Sequence, residues 1–431
     1  WADHRAFMDH LFAQYHARMK AAVRRGDPNA IVGVSGTQAP DAYNGYDWWQ
    51  LMEVFDALLA YSGGSQPDIQ RSFKRVPSVG WAGYGGTGPR TKSQLWGYLL
   101  YNKTAALWRD NVVFEPDWRP GQSAIDYSEA ARPLLQGVGK LVMQSEWLPS
   151  PVGIHYSQAS IRAAAAAKRG PAFEQARASW LSLLKDIGLQ PLFLSYAQIE
   201  RGDLTPERVR VFILPESEAL SAKEAEQLRA YVREGGVLIA DARAGLRDEH
   251  CRLLPAGRLD DLFGIQRNPP LAERPPRLVE LTDTDTLQWP HKQMILGLAP
   301  DGSGITTTTG RSLGSSRGAP SFILNRSGKG VACYLNFHAT SYPRALEEGV
   351  RFRGNLRCLL ASFGVAGRVQ VIGEDGKPFH GCQVTLFRNG SETLVSVMPD
   401  SERFSSMNWT SRPVTVRFDR KAWVYEAITA A

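Results

Sequence analysis

Apolar residues recur at every fourth position from the start of the chain, at Phe7, Leu11, Tyr15, Met19 and Val23. That spacing is the stripe of an amphipathic helix, and the turn formed by Gly26, Asp27, Pro28 and Asn29 ends it. A short run apolar on both faces follows at residues 31–35, then a loop with Pro40, Asn44 and Gly45, then a second helix over 48–54. The unit repeats, with strands predicted at 55–61, 77–84 and 105–108 and a helix at 93–102. Short buried strands alternating with helices mean a parallel sheet joined by right-handed crossovers. Four such β/α units amount to half of a TIM-type (β/α)8 barrel.

The alternation continues with strands at 152–157, 192–195, 209–214 and 237–240, and with a helix over 173–187 that Gly188 caps after the alanine run 163–167. Ser221 and Glu224 have capping-box spacing, Ala225, Leu228 and Val232 supply the apolar face behind them, and Gly235 and Gly236 stop the helix. A single helix bracketed by strands 209–214 and 237–240 predicts two neighbouring parallel strands of a flavodoxin-like, doubly wound α/β domain. The Pro-rich stretch 268–276 reads as a linker, 330–337 as a strand and 349–363 as a helix. Beyond residue 366 the period changes to two, with turns at Asp375-Gly376 and Asn389-Gly390, which predicts a small antiparallel β-sandwich. The expected domains are 1–140, 150–365 and 366–431.

Composition narrows the function classes. Of 431 residues, 43% are hydrophobic and 22% charged, a globular balance. No apolar run reaches the length of about 18 residues that a membrane-spanning helix needs. The formal charge of +7 is spread along the chain, without the clustering that a nucleic-acid surface requires. Cys251, Cys333, Cys358 and Cys382 show no disulfide framework and no metal spacing, so they read as reduced core residues. His4, His10 and His16 recur every six residues, off any single helical face. Neither a metal nor a cofactor is expected. The chain opens at Trp1-Ala2-Asp3, inside its first helix and without an initiator Met or targeting segment, so it reads as starting mid-protein. A soluble protein is expected, with the cytoplasm favoured.

In a barrel the chemistry gathers at the C-terminal ends of the strands. Those ends are Ser35 to Gln38, Tyr61 to Gly64, Trp81 to Gly86 and Trp108 to Asn111. Eight of the 12 tryptophans lie in residues 1–150, and flat aromatic faces suit sugar rings because they stack without ionic partners. Trp48, Trp49 and Trp96 sit on helices and read as core, whereas Trp81 and Trp108 read equally as core or as binding residues. A glycosidase needs two carboxyl groups flanking the bond. At the mouth only Asp110 qualifies, unless it serves to pair with Arg109, and Asp68, placed on the loop after the second strand, is the poorer candidate. Trp108, Arg109, Trp81, Tyr84 and Gln38 complete the candidate sugar-binding set. Gly63-Gly64 and Gly83, Gly85 and Gly86 fit no phosphate-binding motif and read as tight loops.

The order of parts resembles the β-galactosidases of glycoside hydrolase family 42, which join a barrel, a β-galactosidase trimerisation domain and a small β-sandwich. Residues 214–224 (LPESEALSAKE), 235–241 (GGVLIAD) and 259–265 (LDDLFGI) are similar to the trimerisation domain, and 7–38 with 95–110 are similar to the second half of such a barrel. The resemblance implies hydrolysis of terminal β-linked sugars by a homotrimer, with no nucleic-acid or membrane partner. It places the acid/base Glu upstream of this chain and the nucleophile Glu at residues 79–83, where this sequence has Val-Gly-Trp-Ala-Gly and no carboxylate. A non-catalytic carbohydrate-binding or assembly protein is therefore the rival reading. An activity like that of the class I glutamine amidotransferases in the middle domain finds no nucleophilic Cys, because Cys251 lies outside any strand-to-helix elbow.

Overall fold

The computed structural model describes residues 1–60, 64–74, 78–79, 87–101, 103–104, 113–267, 273–274, 277–296, 299–300, 304–339, 342, 347–399, 413–419 and 424. The first section alternates helix and strand: α1 Ala2–Gly26, β1 Gly33–Thr37, α2 Trp48–Val54, β2 Ala57–Ala60, α3 Gln66–Phe73, β3 Ser78–Val79, α4 Pro89–Leu100 and β4 Lys103–Thr104. β1 pairs in parallel with β2, and β3 with β4. A Cβ on Gly33 would fall 2.1 Å from the Ala57 carbonyl oxygen, so only glycine lets these two strands approach. Asp47 starts α2 by accepting the Trp49 amide proton at 3.0 Å, the ordinary N-cap contact. The strand predicted at 105–108 lies outside the described residues.

The helix predicted from the four-residue stripe is α1, but the stripe does not face the core. Phe7 is 58% exposed and Tyr15 56%, and the buried residues of α1 are Ala2, Asp9 and Ala13. The helix packs through its opposite side, with Asp9 against helix Gln158–Ala166 of the next domain and with Phe12 and His16 beside Tyr46 and Phe55. Periodicity identifies a helix but does not say on which side its neighbours stand.

Helix Gln122–Pro133 continues through a π turn at Leu134–Val138, where Gly137 takes φ +136°, into helix Gly139–Met143. β5, Glu146–Trp147, follows.

The middle domain is built on β6 Val152–Tyr156, β7 Leu192–Ser195, β8 Val211–Leu214 and β9 Val237–Ala240, every residue of which is buried. Strands covered on both faces carry continuous apolar runs, as seen here. β8 and β9 are neighbours and parallel, joined through helix Ala222–Glu234. Its capping box closes at 3.0 Å from the Glu224 amide to Ser221 Oγ and at 2.7 Å from the Ser221 amide to Glu224 Oε2. A Cβ on Gly236 would lie 2.3 Å from the Tyr231 ring, so the second stop glycine is fixed by packing. The short pairs β10 Ile265–Arg267 with β15 Ile305–Thr307, and β11 Glu273–Arg274 with β14 Ala299–Pro300, form two separate antiparallel two-stranded sheets. β12 Arg277–Leu281, β13 Gln293–Leu296, β16 Arg311–Ser316, β17 Ala319–Ser327 and β18 Gly330–Leu335 join the same sheet, giving the order β13-β12-β16-β17-β18-β9-β8-β6-β7. The five parallel strands run β7-β6-β8-β9-β18, the 2-1-3-4-5 order of a flavodoxin-like domain. The sequence pattern predicts the strand at 330–337 but not the antiparallel extension beside it, because short strands carry no local signal of which sheet they join. Helix Glu347–Ser362 closes the domain.

At the C-terminal end, β19 Val369–Ile372 pairs with β22 Thr415–Phe418, and β20 Cys382–Asn389 with β21 Glu392–Pro399, all antiparallel. Val369, Val371, Cys382 and Val384 form their common core with Val397 and Phe418 packed against it. β5 adds to the free edge of β20, so one strand of this unit comes from ahead of the middle domain. Among the described residues no helix is long and apolar enough to cross a membrane.

Candidate functional site

The connections after β1 and β4 carry exposed polar and aromatic side chains. After β1, Gln38 is exposed; its carbonyl accepts the Trp48 indole proton at 3.0 Å and its carboxamide reaches back to Gly36 at 3.4 Å. In the same loop the Asp41 carboxylate accepts the amides of Tyr43 and Asn44 at 2.6 and 2.8 Å and the Asn44 side chain at 2.8 Å. These Asx contacts stiffen the turn without any helix or strand. They present Tyr43, 54% exposed, edge-on to Trp1 at 5.7 Å with the Arg5 guanidinium 5.5 Å from its ring. Trp1 is there because it is the N-cap of α1, whose other end leads into β1.

The connection after β4 holds a second aromatic pair. The Glu115 amide donates to the Arg119 carbonyl at 2.8 Å, and the Trp118 amide to the Glu115 carbonyl at 2.9 Å. Trp118 sits in this turn at φ +63° and 71% exposed, with Phe114 5.9 Å away. A bulky residue in the left-handed region is costly and persists where surrounding structure imposes it. Sequence reasoning missed Trp1, Tyr43, Phe114 and Trp118. The signal available was position alone, since each lies beside a βα connection.

Of the candidate set, Gln38 lies exposed in the loop after β1. Trp81, Tyr84, Trp108, Arg109 and Asp110 lie outside the described residues. Asp68 is not on a loop: it belongs to α3, fully buried, with Lys185 Nζ at 2.7 Å, Arg71 Nη2 at 3.2 Å and the Tyr101 hydroxyl at 3.2 Å. Burial favours the neutral amine, yet Asp68 and Tyr101 keep the Lys185 ammonium above its ordinary value. Arg71 is sandwiched between the rings of Trp147 at 4.0 Å and Tyr101 at 4.5 Å. This cluster binds the barrel section to the middle domain and offers no open face to a substrate.

The middle domain has its own polar centre at the C-terminal ends of β8, β9 and β18, where doubly wound sheets place ligands. Glu216, in the turn after β8, adopts φ +44°, a conformation that is costly for a residue with a side chain. Its carboxylate lies 2.9 Å from His338 Nδ1 and 3.0 Å from Arg169, and its amide donates to Asp241 at 2.7 Å. Burial opposes its ionisation, but His338 and Arg169 hold it down to about 2, while burial pushes Asp241 up to about 7. Next to it Ser217 Oγ is 2.9 Å from His155 Nδ1, whose Nε2 is 3.0 Å from Glu224. These groups are buried and paired with one another. Cys251 is half-buried against the Ala159 carbonyl with its thiol pushed up by burial, and Cys333, Cys358 and Cys382 lie within regular elements. Glu216 is thus a carboxylate locked in ion pairs with His338 and Arg169. Among the described residues no cluster of His, Cys, Asp and Glu has metal-binding geometry.

Residues 156–347 match the family model of the β-galactosidase trimerisation domain. No curated protein matches the chain in sequence. Among solved structures it is similar to Gan42B, a family 42 β-galactosidase from G. stearothermophilus, with TM-score 0.77 and 16% identity over 100% of this chain and 65% of that one. It is similar as well to the β-galactosidase of Bacillus circulans sp. alkalophilus, with TM-score 0.73 and 15% identity over 92% of this chain and 62% of that one. The α-L-fucosidase isoenzyme 2 of Paenibacillus thiaminolyticus follows at TM-score 0.59 and 15% identity, over 90% and 60% of the two chains. The chain thus spans less than two thirds of the length of these relatives. The resemblance to family 42 β-galactosidases read from the sequence holds for the trimerisation domain and for the fold.

Proposed function

We propose that this chain is the larger part of a glycoside hydrolase of the β-galactosidase type, acting on terminal β-linked sugars. The observation that carries the reading is the trimerisation-domain match at 156–347, set behind a barrel section whose mouth bears exposed aromatic residues. The outward stripe of α1, with Phe7, Leu11, Tyr15, Met19 and Val23 all exposed, supports a barrel completed by further β/α units against that face, because contiguous exposed apolar side chains ordinarily mark an interface. In such a site a carboxylic acid protonates the glycosidic oxygen while a carboxylate stabilises the oxocarbenium-like centre. Asp110 is the mouth carboxylate we assign to this chemistry, with Trp108, Arg109, Trp81, Tyr84 and Gln38 around the sugar. Asp110→Asn in the intact enzyme is expected to lower turnover of a nitrophenyl β-galactoside by about tenfold or more, equivalent to about 1.4 kcal/mol. Unchanged kinetics with unchanged folding would remove Asp110 from the site.

One observation favours the second reading, a carbohydrate-binding or assembly protein without turnover: residues 79–83 hold no Glu, and Asp9, Asp47 and Asp68 are buried and paired. Absence of hydrolysis across a panel of nitrophenyl glycosides, together with retained sugar binding by calorimetry, would decide for it.

Assembly as a homotrimer belongs to the proposal, with the middle domain supplying much of the contact. Light scattering is expected to give three chain masses at micromolar concentration, since a specific interface buries at least about 1,000 Å². A monomer mass would reject it.

A further inference from the structure

The mouth loop between Gln38 and Asp47 is held from beneath by the middle domain through a buried polar cluster. Gln158 donates to the Asp41 carbonyl at 2.7 Å, and the Trp48 amide donates to the Tyr156 hydroxyl at 2.9 Å. Tyr156 in turn donates to Gln158 at 2.9 Å. Two carboxylates lie in the same cluster, each about 1% exposed: Asp9 of α1 and Asp47 at the N-terminus of α2. Asp47 accepts from the Tyr196 hydroxyl at 2.6 Å and from Gln50 at 3.0 Å. Asp9 accepts from Arg162 at 2.8 Å and distantly from Gln158 at 3.4 Å, and its other oxygen, Oδ1, is buried without a partner among the described residues.

The charges that face this pair can be named from each packed element. Helix Gln158–Ala166 brings Arg162, which also stands near the Cys251 thiol. Tyr196 comes from helix Tyr196–Glu200, and β6 contributes Tyr156. One cation therefore serves two buried carboxylates, and the orphaned Asp9 oxygen suits the neutral acid better than the anion.

We propose that Asp9, Asp47 and Arg162 form a proton-linked strut through which the middle domain holds the mouth loop 38–47, seated while the carboxylate pair keeps a proton and loosened when both are ionised. Burial and the Asp47 charge push Asp9 from 3.8 up to about 7 against the pull of Arg162, and burial raises Asp47 as well, against its hydrogen bonds. An acid whose folded value lies above its unfolded one binds more protons when folded. Its contribution is therefore complete below about pH 4 and is lost as the pH rises through about 7. The two sites titrate as a pair rather than independently. Any consequence for substrate rests on the carbohydrate reading above, but the strut itself does not, and its test uses no activity.

The test is chymotrypsin cleavage after Tyr43, mapped by mass spectrometry on the full chain and corrected for the protease's own pH profile with an unstructured peptide. In the parent protein the corrected rate is expected to rise by about tenfold between pH 6 and pH 8.5, since the equilibrium shifts by up to about tenfold for each pH unit below the seated value of about 7 and levels off above it. Asp9→Asn, which mimics the protonated acid, should remain slow throughout. Asp47→Asn provides a second variant, because Asn is as good an N-cap as Asp, and it should flatten the profile too. A parent rate that does not change with pH, or variants that rise in parallel with the parent, would overturn the proposal.

Discussion

Replacing Asp68 by alanine is expected to lower the stability of the fold by about 3–5 kcal/mol, the usual cost of breaking a buried ion pair by removing one partner. The substitution strands two cations at once. Lys185 Nζ, at 2.7 Å, and Arg71, at 3.2 Å, are both buried, and Asp68 is the carboxylate that each of them contacts. Neither can reach water by a rotamer change, because Arg71 is wedged between Tyr101 and Trp147 and Lys185 is hydrogen-bonded to the Tyr101 hydroxyl at 2.9 Å. The cluster ties α3 and α4 of the barrel section to helix Gly170–Asp186, so the loss should appear as separate unfolding of the barrel section. Urea denaturation followed by fluorescence and circular dichroism checks this. A midpoint within about 0.5 kcal/mol of the parent would show that the ion pairs contribute nothing net.

Trp180→Ala should be comparably damaging, at about 3–5 kcal/mol, the range for large-to-small changes of buried aromatic residues. Trp180 is fully buried on helix Gly170–Asp186, edge-on to Phe352 at 6.4 Å. It borders a small apolar cavity that Ile239, Phe322, Leu335 and Phe352 also line, so the vacated volume joins existing space and the surroundings cannot collapse to refill it. The indole also donates, at 3.4 Å, to the otherwise poorly solvated Asp241. Trp180→Phe keeps most of the ring and loses that donor, so a markedly smaller loss is expected for it. Calorimetric melting of both variants separates the packing contribution from the hydrogen bond, and equal melting temperatures for parent and Trp180→Ala would refute the assignment.

Much of the middle domain was legible in the sequence because its signals are local. The Ser221 to Glu224 capping box needs only four consecutive residues, and the structure closes both of its hydrogen bonds. Strands β7 and β9 coincide with the apolar runs 192–195 and 237–240 because a strand buried on both faces can hold nothing else. In the barrel section the strands at 33–37 and 57–60 fall within two residues of the predicted runs, an offset expected where edges carry weaker patterning. The candidate site was less legible. The exposed aromatic residues Trp1, Tyr43, Phe114 and Trp118 have no motif, and the pairing of Trp1 with Tyr43 is made only when α1 packs beside the loop after β1.

By itself, then, the sequence determined the alternation of helices and strands to within a few residues over much of the chain, the parallel pairing of β8 with β9, and the family resemblance of residues 214–224, 235–241 and 259–265. All of these follow from contacts within a few turns of chain. Only the tertiary structure decided which side of α1 is buried, that β5 crosses to the C-terminal sheet, and that Asp68 is a structural counter-ion. Asp68 and Lys185 are 117 residues apart, and Asp9 and Arg162 are 153 apart. A carboxylate reads the same in sequence whether it faces water, substrate or a buried cation, and the partner that distinguishes these cases arrives only when distant segments pack.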